Sequence, residues 1–120
     1  MSSFSTRVVS DAVVVEFDSS AGLNHFQNNT VRDALYELVS NSAEPRLGID
    51  LCNVDFLSSS GVALLVGLKR RVEGRGGKLV LFRLQSIVRD ILAVTKLDQF
   101  FIIVETEAQA LASLRPDSVA

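Results

Sequence analysis

The feature that most constrains this chain is a repeated change of period. Short apolar runs, rich in β-branched residues, alternate with stretches in which apolar residues recur every three or four positions. Val13-Val14-Val15-Glu16-Phe17, Leu47 to Leu51, Lys78 to Phe82 and Phe100 to Val104 read as strands. Between them, Phe26, Val31, Leu35, Leu38 and Val39 mark one helical face from His25 onward, with Asn24 or Asn28 as its cap and Asn41 to Pro45 as its end. Val62, Leu65, Leu68 and Val72 mark a second helix, stopped by Gly74, Gly76 and Gly77. Ser86 caps a third, expected to bury Ile87, Ile91 and Val94, and Thr106 caps a fourth that carries Ala108, Ala110, Leu111 and Leu114. Upstream, Arg7 to Ser10 forms a further strand, turned back at Asp11-Ala12, and Asp18 to Gly22 reads as a loop.

The order is therefore β-β-α-β-α-β-α-β-α. Parallel strands need crossover connections, and helices supply them here, so the expected class is α/β with a mixed, largely parallel sheet and about four helices. The opening β-β pair supplies an antiparallel edge strand. A chain of 120 residues suits one domain, 1–120, with an ordered core over about 5–115 and a short flexible tail from Pro116 to Ala120. Hydrophobic residues make up 48% and charged residues 22%, ordinary globular usage that supports a core without metal or disulfide.

The lone Cys52 has no internal disulfide partner and suits a reducing, cytoplasmic setting; at the end of an apolar strand it reads as a small buried residue. No leader pattern opens the sequence and no apolar run is long enough to cross a bilayer, so no membrane association is expected. The net charge of −2 gives no reason to expect nucleic acid. Lys69, Arg70, Arg71, Arg75, Lys78, Arg83 and Arg89 do lie close together in sequence, but without interleaved aromatics to stack on bases. The first three fall late in the second helix, where cations offset the helix dipole. The single histidine, His25, lacks a serine–carboxylate or metal-ligand pattern and reads as a loop or cap residue. The glycines after the second helix precede a strand, the reverse of the order a phosphate-binding P-loop requires. No catalytic residue, cofactor or metal is expected.

The run Leu57-Ser58-Ser59-Ser60-Gly61 falls where an open α/β sheet gathers ligands and partners, at the carboxyl end of a strand and the start of a helix. Chemistry alone favours a capping role, since serine is among the best N-cap residues. A helix start also accepts an anion, and a phosphoserine there would carry about −1.5 to −2 charge, compatible with the helix yet disruptive to a docked partner. One serine can cap while its neighbour is modified.

Six pieces then appear in order: Ile49-Asp50-Leu51, Val54-Asp55-Phe56, Ser59-Ser60-Gly61-Val62, Gly76-Gly77-Lys78-Leu79-Val80-Leu81, Ser86-Ile87-Val88-Arg89 and Leu97-Asp98-Gln99-Phe100-Phe101. Together, Leu47 to Leu114 resembles a STAS domain of the bacterial anti-sigma factor antagonist type. The resemblance implies a transcription regulator that binds an anti-sigma factor, often a serine kinase, and frees a sigma factor. The kinase phosphorylates the serine that opens the second helix, and a serine phosphatase restores it. The family motif Asp-Ser-Ser/Thr-Gly, aligned on Gly61, places that serine at Ser59, with Ser60 beside it. Asn24, Ser58, Ser59, Ser60, Gly61 and Val62 are the implied partner-binding residues. Two stretches depart from the pattern. The motif aspartate is Ser58, and the family's Gly-Glu-Leu-Asp before the first helix reads Ala21-Gly22-Leu23-Asn24. Two other readings stand beside this one: a non-phosphorylated STAS scaffold in a signalling or transport assembly, and a nucleotide- or lipid-binding domain. The implied state is a monomer or, through the open edge strand, a weak homodimer.

Overall fold

A computed structural model describes residues 4–24 and 29–115. Ten elements follow one another: β1 (Phe4–Val9), β2 (Ala12–Phe17), α1 (Ser20–Asn24), α2 (Asn29–Ser40), β3 (Arg46–Asp50), α3 (Ser59–Gly74), β4 (Lys78–Phe82), α4 (Ser86–Val94), β5 (Ile102–Val104) and α5 (Glu107–Leu114). The strands form one sheet in sequence order, β1-β2-β3-β4-β5. β1 runs antiparallel to β2 at the edge, and the other neighbours are parallel. The mixed α/β fold expected from the alternation of periods is present.

Strand side chains alternate between two faces, and each face has its own core. On one side Val15, Phe17, Leu47, Ile49, Leu51, Leu79 and Leu81 meet Leu23 of α1, Leu35 and Val39 of α2, Leu64, Leu65, Leu68 and Val72 of α3, and Val88 and Leu92 of α4. On the other, Ala12, Val14, Val80 and Phe82 meet Ala110 and Leu114 of α5. The central strands are thus covered on both sides, which is why they read as continuous apolar runs.

The punctuation follows local chemistry. Ser10, at φ 54°, turns β1 into β2. α3 stops at Gly74, and Gly76 takes φ 75°, the left-handed conformation that glycine adopts without a Cβ penalty. Thr106 caps α5 in a capping box with Gln109. Several local expectations are corrected. The last strand spans only Ile102–Val104 and does not begin at Phe100, and Asn24 ends α1 instead of capping α2. Part of the Asp18 to Gly22 loop is helical, because α1 begins at Ser20. α4 starts after Gln85, so Ser86 is its first residue and not its cap. α4 also buries Val88 and Leu92, leaving Ile87 49% and Val94 82% exposed. Cys52 is only half-buried, just past the end of β3. His25, Phe26, Asn28 and the tail from Pro116 lie outside the described residues.

Candidate functional site

The serine run crosses from the carboxyl end of β3 into α3. Ser58 is the N-cap: its backbone is extended (φ −87°, ψ 172°) and its Oγ accepts the Gly61 N–H at 3.1 Å. The same hydroxyl donates to the backbone carbonyl of Asn24 at 2.8 Å. The Ser58 N–H donates to Asn24 Oδ1 at 2.7 Å, and Asn24 Nδ2 donates to the Phe56 carbonyl. These partners fix the amide orientation, since an N–H can only donate and a carbonyl only accept. At the other end of α1, Ser20 Oγ accepts the Asp55 N–H at 2.8 Å and donates to the Asp55 carboxylate. α1 is therefore clasped at both ends to the loop between β3 and α3.

The three serines separate by environment. Ser58 is engaged in the fold, Ser59 is exposed at the first position of α3, and Ser60 is half-buried. Gly61 is buried, and a Cβ there would overlap Asn24 Oδ1. Val62 is half-buried and packs on the larger core. Phe56, 49% exposed, borders the same loop.

A sequence model of the STAS domain family matches residues 3–110. The chain belongs to the STAS domain family. Its fold recurs in solved structures of low sequence identity. A proposed anti-sigma factor antagonist of Thermotoga maritima superposes with TM-score 0.85 at 19% identity, covering 94% of this chain and 95% of that one. The unphosphorylated anti-sigma factor antagonist SpoIIAA, a cell fate determinant of Bacillus, gives 0.71 at 23% identity over 93% and 97%. The murine anion transporter Slc26a9 gives 0.72 at 16% identity, covering 91% of this chain but 18% of the transporter.

Within this STAS fold, a second polar cluster lies at the carboxyl ends of the strands, on the α5 side of the sheet. Asp50 is fully buried and accepts from Arg83 Nη2 at 2.7 Å, from Arg83 Nε at 3.2 Å and from the Cys52 N–H at 3.0 Å. The Asp50 carboxylate raises the Arg83 pKa still further above its already high ordinary value. Arg83 holds φ 57° in doing so and also reaches Cys52 Sγ at 3.2 Å. Burial, followed by the hydrogen bond with Asp50, pushes the Cys52 thiol up, away from the reactive thiolate. Oxygen and sulfur atoms of Glu16, Asp50 and Cys52 lie within 4.8 Å of one another, but the guanidinium already neutralises Asp50, so the cluster is built as an ion pair. A cavity of about 180 Å³ opens between Val9–Ala12 and Leu111, Leu114 and Arg115. It sits at the amino end of β2, the opposite end of the sheet from the serines.

Of the STAS site residues read from sequence, Asn24, Ser58 and Gly61 meet in space, while Ser59 stands outward beside them. Ser20, Asp55 and Phe56 complete the loop and were not singled out. Asp55 and Phe56 belong to one of the quoted family pieces, whereas Ser20 carried no local signal. Lys69, read as a cation late in the second helix that offsets its dipole, is buried over the Phe100 ring at 5.0 Å and pairs with Glu73. No described helix is long and apolar enough to cross a membrane.

Proposed function

We propose that this chain is an anti-sigma factor antagonist. Its unmodified α3 start binds an anti-sigma factor of the serine-kinase type, and phosphorylation of Ser59 releases that partner. One observation carries the reading: within the serine run, Ser58 is committed to the cap and to Asn24, whereas Ser59 is exposed beside it. A kinase would move the γ-phosphoryl group of ATP onto Ser59 Oγ, with loss of the hydroxyl proton and release of ADP. The unpaired N–H groups and positive end of α3 then stabilise the new charge without unfolding the helix. Seen from a docked partner, the same dianion is bulky and costly to desolvate. Hydrolysis by a serine phosphatase resets the site. The reading needs no cofactor, catalytic group, nucleic acid or membrane, and places the protein in the cytoplasm.

The test is phosphopeptide mapping of the chain recovered from its own host across growth conditions. Phosphate at Ser59, abolished in Ser59→Ala without transfer to Ser60, is expected. A chain that never carries phosphate in the run contradicts the switch. That outcome favours the second reading, a non-phosphorylated scaffold in a larger assembly, which the superposition on part of an anion transporter supports.

A further inference from the structure

We propose that Asn24 and Ser58 form a charge-neutral latch that positions the α3 start, and that a carboxylate at either position breaks it. Each side chain both donates and accepts. Asn24 accepts the Ser58 N–H at Oδ1 and donates from Nδ2 to the Phe56 carbonyl. Ser58 Oγ accepts the Gly61 N–H and donates to the Asn24 carbonyl. An ionised carboxylate only accepts. Aspartate at 24 would set an oxygen against the Phe56 carbonyl, and aspartate at 58 would set one against the Asn24 carbonyl. The clash at the Asn24 carbonyl is part-buried, where opposed acceptors cost more than in water, while the one at the Phe56 carbonyl lies nearer solvent.

The two departures from the family pattern are thus one coupled feature, joined across 34 residues of chain. Gly61 is its third member, because only a residue without a Cβ leaves room for Asn24 Oδ1. Asn24 acts through Ser58 on the presentation of Ser59 and is a positioning residue. Restoring the family's aspartate at 24 or 58 damages this chain.

The consequence for partner binding rests on the function proposed above; the latch itself does not. Hydrogen–deuterium exchange is measured on the wild type, Asn24→Asp, Ser58→Asp and Ser58→Thr. Peptides spanning residues 20–24 and 56–61 are expected to exchange about tenfold faster in both aspartate variants. Ser58→Thr, which keeps a donor and an acceptor, stays at the wild-type rate, and β3 and β4 are unchanged in all four. Wild-type rates in both aspartate variants overturn the latch. Should Ser58→Asp unfold globally, Ser58→Ala is compared with Ser58→Thr: equal protection in those two also overturns it. In parallel, each protein is used as bait for a kinase-type partner from the host. Capture by the wild type with loss in both aspartate variants supports the positioning role, and equal capture by the wild type and both aspartate variants refutes it. If even the wild type captures no kinase, the proposed function fails while the exchange comparison still decides the latch.

Discussion

At the scale of single residues, the serine run divides labour between neighbours. Ser58→Ala removes the N-cap and leaves the Asn24 carbonyl without its donor, and is expected to cost about 1–2 kcal/mol. Ser59→Ala removes only an exposed hydroxyl and is expected to stay within about 0.5 kcal/mol of the wild type. Urea denaturation of the two variants checks the contrast; equal losses would mean that Ser59 also carries fold stability. The cap was legible in the sequence because a serine before an apolar helix is a local signal. The bond from Asn24 was not, because it depends on how α1 seats against α3. Asn24 and Ser58 each stood out separately as neutral replacements for a carboxylate, and only the fold shows that they touch.

At the scale of elements, strands and helix order were legible wherever period and punctuation agreed. β4 and the capped α5 fall where the sequence puts them. α4 failed for a physical reason. Its nine residues carry two adjacent apolar stripes, Ile87-Ile91-Val94 and Val88-Leu92, and periodicity cannot choose which one faces the sheet. Packing chooses the second and half-buries Ile91 against the same core, leaving Ile87 and Val94 exposed. Leu92→Ala is therefore expected to cost about 2–5 kcal/mol, while Val94→Ala stays within about 0.5 kcal/mol. Thermal or urea unfolding of this pair checks the assignment, and a large loss at Val94 would restore the first stripe as the buried one. α1 escaped notice because five residues are too few to show a period; it is held by buried Leu23 and by its hydrogen bonds to the β3–α3 loop.

At the scale of the whole molecule, the sheet separates tasks. One face carries α1 to α4 and the site at the carboxyl ends, while the other is closed by α5. Arg7 on β1 and Glu107 at the start of α5 join the chain's two ends across that second face at 2.6 Å. The hydrogen bond from Arg7 holds the Glu107 carboxyl below its ordinary value of 4.5. A depressed folded-state pKa means that the pair stabilises the fold above that ordinary value and loses its contribution as pH falls below it. Urea midpoints of the wild type and Glu107→Gln should therefore differ at pH 7 and draw together as the pH falls through the folded-state value; a gap that widens in acid would reverse the sign. The proposed switch acts at the surface that would meet an anti-sigma factor. The most direct test is capture of a kinase-type anti-sigma factor by the chain with phosphoserine installed at position 59, compared with the unmodified chain. The unmodified protein is expected to capture it, and the phosphorylated protein to keep its circular dichroism spectrum but capture at least tenfold less. Equal capture by both forms would contradict it.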